Sequence, residues 1–190
     1  MNTGIRTEST QVAGSQLHQV QLVSLKEHKD YRGSFTEIFQ DHWGTVLKPV
    51  QWSLVKSEPN VFRGMHFHLR HDEYFCLIEG HCQLGLRDLR PGSPTQHQSA
   101  LFELHGDDPA ALIFPRGMLH GWHFYTPSIH VQAVSEAYTD YGHDDNWRCN
   151  WDDPELELPW TIDNPILTDA AANAPSLRTL LDALTRANYK

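Results

Sequence analysis

The chain has 190 residues, 39% of them hydrophobic, which suits a single domain with a sizeable core. Its formal net charge of −9 argues against nucleic acid or an anionic membrane as a partner, because neither attracts an acidic protein. Cys76, Cys82 and Cys149 show no paired or CxxC spacing, there is no signal-peptide pattern, and no apolar run approaches the ~20 residues that span a bilayer, so a soluble protein of the reducing cytoplasm is expected.

From Met1 to about Gln16 the chain is rich in Ser, Thr, Gln and Gly without any period, and reads as a flexible tail before one domain over 17–190. Strands are predicted at Val20–Leu25, Phe35–Phe39 and Val50–Lys56, the first two joined through a turn at Asp30–Gly33. The ladder continues through Phe62–Phe67, Tyr74–Ile78, Cys82–Leu86, Gln98–Leu104, Ala111–Phe114, Gly121–Phe124 and Ser128–Ser135. Short strands punctuated by Gly, Pro or Asp predict an all-β sandwich or jelly roll. Tyr138–Trp160 reads as an ordered loop whose Trp147, Trp151 and Trp160 pack back on the sandwich. Only Pro175–Asn188 has helical spacing, with Leu177, Leu180, Leu181 and Leu184 on one stripe and Pro175 suited to the first helical position.

The stretch Arg63–Gly80, RGMHFHLRHDEYFCLIEG, carries the chemistry. Alternate residues of a strand share a face, so His66 and His68 point the same way, and Glu73 opens the next strand beside them. Downstream, Pro115-x-Gly117 suits a tight turn, and His120 is expected to lead the strand after it. With 13 histidines in the chain, some fall two apart by chance. The full pattern, HxHxxxxE with a glycine at Gly80 and then PxGxxH, resembles the metal-binding cupins, jelly-roll barrels with a 3-His-1-carboxylate centre. The ligands would be His66, His68, Glu73 and His120, a divalent-metal set that suits Fe, Mn, Ni, Zn or Cu without choosing among them.

A second resemblance covers Asp30 to Leu177. The blocks Asp30-Tyr-Arg-Gly-Ser-Phe-Thr-Glu37, Gln51-Trp-Ser53, Asn60-Val-Phe-Arg-Gly-Met-His66, Asp88-Leu-Arg-Pro-Gly-Ser-Pro-Thr95, Pro115-Arg-Gly-Met-Leu-His-Gly121, Trp151-Asp-Asp-Pro154 and Ile166-Leu-Thr-Asp169 are similar to those of dTDP-4-dehydrorhamnose 3,5-epimerases. The resemblance implies a cupin jelly roll, a homodimer, no metal, and a nucleotide-linked 4-keto-6-deoxy sugar that loses and regains a proton next to its ketone. It implies His66 as the catalytic base and Asp153 as its carboxylate partner. Arg32 and Arg63 match diphosphate contacts, Phe35, Glu37, Gln51 and Ser53 match pocket positions, and His120 matches a histidine near the sugar.

The chain departs from that pattern at three places. Glu73 stands where the family has an enolate-stabilising lysine, and an anion there opposes a developing enolate. If Tyr138 is the second of the family's two tyrosines, the first, its general acid, is Gln132. His68 replaces a glutamine. The same changes complete the metal-cupin spacing, so three readings follow: an epimerase or isomerase with altered, metal-assisted chemistry, a metal-dependent cupin oxygenase or lyase, and a non-catalytic binding relative. A metal bound by His66 would occupy the lone pair that a base needs.

Overall fold

The computed structural model describes residues 8–141 and 145–189. Thirteen strands occur among them: β1 (Thr10–Gly14), β2 (Gln21–Ser24), β3 (Glu27–Asp30), β4 (Gly33–Thr36), β5 (Gln51–Ser57), β6 (Phe62–Phe67), β7 (Glu73–Glu79), β8 (His81–Asp88), β9 (Ser99–His105), β10 (Ala110–Phe114), β11 (Met118–Phe124), β12 (Ser128–Val134) and β13 (Trp147–Arg148). One sheet has the order β1-β9-β8-β11-β6-β13, a second has β2-β10-β7-β12-β5, and β3 and β4 form a separate hairpin. This is the all-β jelly roll expected. The described residues include no helix long and apolar enough to cross a membrane.

Three apolar layers hold the sheets. Phe75 and Leu77 of β7 meet Leu84, Leu86, Phe102 and Trp122 between the two sheets. Tyr74, Cys76 and Ile113 face the other way and pack with Leu25 and Leu47. Because β7 is covered on both faces, its apolar run is continuous through Leu77 where a half-exposed strand would alternate. β5, at the sheet edge, does alternate, leaving Trp52 and Leu54 exposed.

The outer face of the six-stranded sheet is closed by the C-terminal region. Helices α1 (Tyr138–Tyr141) and α2 (Asp169–Ala172) are short, and α3 (Leu177–Arg186) buries Leu177, Leu180 and Leu184 against Phe62, Met65 and Phe67. Trp147, Trp151 and Trp160 pack into the same cluster, as expected. Pro175 is not the first helical residue: Ser176 is the N-cap, its hydroxyl accepting from the Thr179 amide.

Two further expectations are corrected. Thr10–Gly14 lies within the stretch expected to be a flexible tail, yet it is strand β1, paired antiparallel with β9; residues 1–7 of that tail lie outside the described residues. Its backbone bonds to a neighbouring strand compensate for its lack of apolar periodicity. His120 sits inside β11 and does not lead it, because the strand starts directly after the turn at Gly117.

Asp88 anchors the end of β8. It is fully buried, and its carboxylate accepts from the Arg90 amide (3.0 Å), Arg90 Nε (2.9 Å), Ser93 Oγ (2.6 Å) and Thr95 Oγ1 (2.7 Å). Burial raises its pKa, but these bonds outweigh burial and leave it below the usual 3.8. The folded value is depressed, so the stabilisation is present above the unfolded pKa and is lost as pH falls through the folded one. Asp88→Asn is expected to cost about 3–5 kcal/mol at pH 7 by leaving Arg90 uncompensated. Denaturant unfolding at pH 7 and pH 3 should show the gap between variant and parent shrinking in acid.

Candidate active site

A cavity of about 610 Å³ opens between the sheets at one end of the sandwich. The six-stranded sheet contributes His66 from β6, His120 from β11 and Arg148 from β13; the five-stranded sheet contributes Glu73 from β7, Gln132 from β12 and Val55 from β5. In the ladder, His66 lies opposite His120 on one side and Arg148 on the other. His68 and His71, in the connection from β6 to β7, complete one wall, and Trp122 and Tyr141 add aromatic surface.

Glu73 is the point of convergence. Its Oε1 lies 3.2 Å from His120 Nε2, 3.6 Å from His68 Nε2 and 3.7 Å from His71 Nε2. Two of these rings are oriented from behind: His68 Nδ1 is 2.5 Å from the Asp145 carbonyl and His120 Nδ1 is 3.1 Å from the Met118 carbonyl. A carbonyl only accepts, so each Nδ1 carries the hydrogen and each Nε2 turns its lone pair toward Glu73.

Burial decides the charges. It pushes Glu73 up to about 8, assisted by the charges of Asp145 and Asp72. It holds His120 well below its ordinary value and lowers His68. His71 is held at about 3 by burial, then by His68, Arg116 and Arg70. Neutral imidazole lone pairs facing a carboxylate oxygen repel one another unless a proton or a cation lies between them.

The donor set fits a cation. Bonds of ~2.0–2.2 Å at tetrahedral or octahedral angles separate neighbouring ligands by roughly 3.0–3.5 Å, close to the spacings around Glu73. Among the described residues, His68, Glu73 and His120 form one group whose ligand atoms all lie within 4.8 Å of one another, and His68, His71 and Asp145 form another. A third group, His81, Glu103 and His105, lies on β8 and β9 away from the cavity, with the two imidazoles stacked face to face. His66 belongs to none of them. Its ring centre is 6.3 Å from that of His68 and 6.1 Å from that of His120, so of the four expected ligands three have their ligand atoms gathered and His66 lies farther off.

His66 itself is held at about 3, first by burial and then by His68, Arg148 and Arg63. It is neutral at pH 7 with a lone pair available. His71 is a site residue that the motif spacing missed. Its loop is fixed by distant groups, with the Asp145 carboxylate accepting from the Leu69 and Arg70 amides and Asp72 accepting from Arg116. The only local signal was a third histidine three residues after His68.

The cavity has relatives. A family profile described as dTDP-4-dehydrorhamnose 3,5-epimerase matches residues 14–179. The chain belongs to this family. It is 30% identical over 146 residues to the spore coat polysaccharide biosynthesis protein SpsL of Bacillus subtilis, covering 76% of this chain and 96% of that one. It is 30% identical over 152 residues to the dTDP-4-dehydrorhamnose 3,5-epimerase of Pseudomonas aeruginosa, covering 74% and 81%. Among solved structures, the Bacillus anthracis epimerase with TDP and pyrophosphate bound superposes with a TM-score of 0.76 at 29% identity, covering 83% of this chain and 94% of that one.

Several residues expected from the epimerase family fall elsewhere. Asp153 does not partner His66: its two carboxylate oxygens accept from the Glu155 and Leu177 amides, each at 2.9 Å, and it lines a different cleft. Arg32 and Phe35 lie on the β3–β4 hairpin around a separate shallow cleft, with Arg32 paired to Asp30. Glu37 accepts from Gln40 Nε2 at 2.6 Å, outside the cavity. Gln51 accepts from the Tyr138 amide, and neither these two nor Ser53 lines the cavity, although Gln51 and Ser53 alternate in register with Val55, which does.

Arg63 and Gln132 line the cavity, but Arg63 Nε donates to Ser57 Oγ at 3.0 Å and its terminal nitrogen to the Lys56 carbonyl. Gln132 Oε1 faces His130 Nε2 at 3.3 Å. Tyr141, which the tyrosine spacing did not reach, places a phenol at the cavity wall and stacks on His71 with ring centres 4.4 Å apart.

Proposed function

We propose that this protein moves a proton at the carbon next to the ketone of a nucleotide-linked 4-keto-6-deoxy sugar, with His66 as the base and a divalent cation held by His68, Glu73 and His120. The observation that carries the reading is the separation of roles in one cavity: the three convergent groups leave His66 out, so the base keeps its lone pair while the ligands keep theirs. Neighbouring sequence positions thereby serve different purposes.

The separation also answers an energetic difficulty. A histidine held near 3 is a weak base, and it can take a carbon-bound proton only if the enolate left behind is strongly stabilised. Glu73 cannot supply that stabilisation as the family's lysine would. When bound, a cation at the trio polarises a carbonyl oxygen and takes over that task. His66 receives the proton at its free ring nitrogen, and the Tyr141 phenol is a second proton-bearing group at the wall.

We further propose a homodimer. The cavity has no contact with the hairpin residues Arg32 and Phe35, whose blocks match substrate positions of the family, and the apolar side chains of Phe35, Trp52 and Leu54 are exposed. A second copy laid against that surface would cover them. Three free, buried thiols suit a cytoplasmic setting.

The test is a dTDP-linked 4-keto-6-deoxy sugar in deuterated buffer, followed by NMR. Deuterium should enter beside the ketone, stop on chelation and resume when metal is restored. Exchange that is indifferent to chelation would remove the cation from the mechanism. Binding without exchange would favour a non-catalytic relative.

A further inference from the structure

We infer that His81, Glu103 and His105 form a second cation site, on the outer face of the six-stranded sheet, that takes zinc or a divalent ion of similar ligand preference. The site is separate from the cavity and independent of the nucleotide-sugar reading. Side chains alternate along β8, so Cys82, Leu84 and Leu86 enter the core while His81 and Gln83 stand on the outer face. β9 does the same, with Phe102 and Leu104 inside and Glu103 and His105 outside. His81 lies directly opposite His105 in the ladder, and Gln83 lies opposite Glu103. Leu86, the β8 residue paired with His120 of the cavity, is roughly 16 Å further along the strand.

The chemistry is that of a metal site. The ligand atoms offered by the three residues lie within 4.8 Å of one another. His81 Nε2 is in contact with Glu103 Oε1, and the imidazoles of His81 and His105 stack with ring centres 4.3 Å apart and planes inclined by 13°. A small tilt of two stacked rings brings their nitrogens to the roughly 3.0–3.5 Å that separates neighbouring ligands bonded at ~2.0–2.2 Å. Supporting groups are already in place. Gln83, only 3% exposed, donates to Glu103 Oε2 at 3.1 Å and accepts from the Thr161 amide at 3.2 Å, holding the carboxylate from behind. Tyr125 also stacks on His81, with ring centres 4.5 Å apart. His105 is buried and its Nε2 has no hydrogen-bond partner, a costly state for a polar atom that a shared cation relieves. The side chains of His81 and Glu103 are 29% and 23% exposed, which gives an ion a path from solvent. Two imidazoles and one carboxylate suit zinc and leave a position for water. Three ligands in partial contact with solvent hold an ion more loosely than a closed set of four, so the site fills only while free zinc is supplied.

Calorimetric titration of the untagged, metal-free chain with zinc tests the site. The parent should bind two ions, a tighter one in the cavity and a weaker one here. His81→Asn, at a partly exposed position that tolerates replacement, and His105→Asn should each weaken only the second event, by more than about 10-fold, with the cavity's event and proton exchange intact. Glu73→Gln should remove the first event and keep the second, so the two metal proposals fail separately. A second event unchanged in both histidine variants, or a parent that binds no zinc beyond what Glu73→Gln removes, would overturn the inference.

Discussion

His66→Asn is expected to slow exchange of the proton next to the sugar ketone by about 10²–10⁴-fold, the usual contribution of a positioned general base. The same variant should keep its bound metal. These two results together separate the present arrangement from the one that motif spacing suggests, in which His66 is a ligand and its loss would empty the site. Asparagine fits the space and removes the ring nitrogen without adding charge. The fold should tolerate it, because the strand that carries His66 is held by β11 and β13 through backbone bonds. The readout is paired: the deuterium incorporation rate and metal content on the same preparation.

Glu73→Gln is expected to have an effect of comparable size by the opposite route. Glutamine preserves the volume and can still bond to His120, but it removes the one anionic ligand. Losing an outer-shell partner of a metal ligand already costs 10–100-fold in affinity, and losing a ligand itself should cost more than about 100-fold. Proton exchange should fall with the metal and should not return at metal concentrations that restore the chelated parent. The metal-free variant should be no less stable than the metal-free parent, since glutamine does not ask the cavity to bury an ionisable group. Chelation should therefore lower the thermal midpoint of the parent and leave that of the variant in place.

Much of the fold was legible because its signals are local. β6 was read with its observed bounds, and β7 through β12 within three residues at either end, since apolar runs and Gly or Pro punctuation mark strands that are buried on one or both faces. The elements missed were those stabilised by partners and not by their own composition. β1 is polar and exists because β9 offers an edge. β3 is Glu-His-Lys-Asp and pairs only within its hairpin, and β13 is two residues long.

The candidate site divides in the same way. Glu73 and His120 could be named from the sequence because each sits on a strand that its apolar run marks, and His68 because it directly follows β6. His71 and Tyr141 could not, since one sits in a loop held by Asp145 and Arg116 and the other on a four-residue helix. Asp153 shows the reverse error. Its sequence block matches, but a carboxylate next to a proline turn and a helix start is used up in capping both.

The most direct test of this arrangement is an anomalous-difference map from a crystal of untagged protein grown with a divalent transition metal. A peak is expected at ~2.0–2.2 Å from His68 Nε2, His120 Nε2 and a Glu73 oxygen, with His66 outside bonding distance. A peak ligated by His66, or an interior with none under full metal loading, would contradict it.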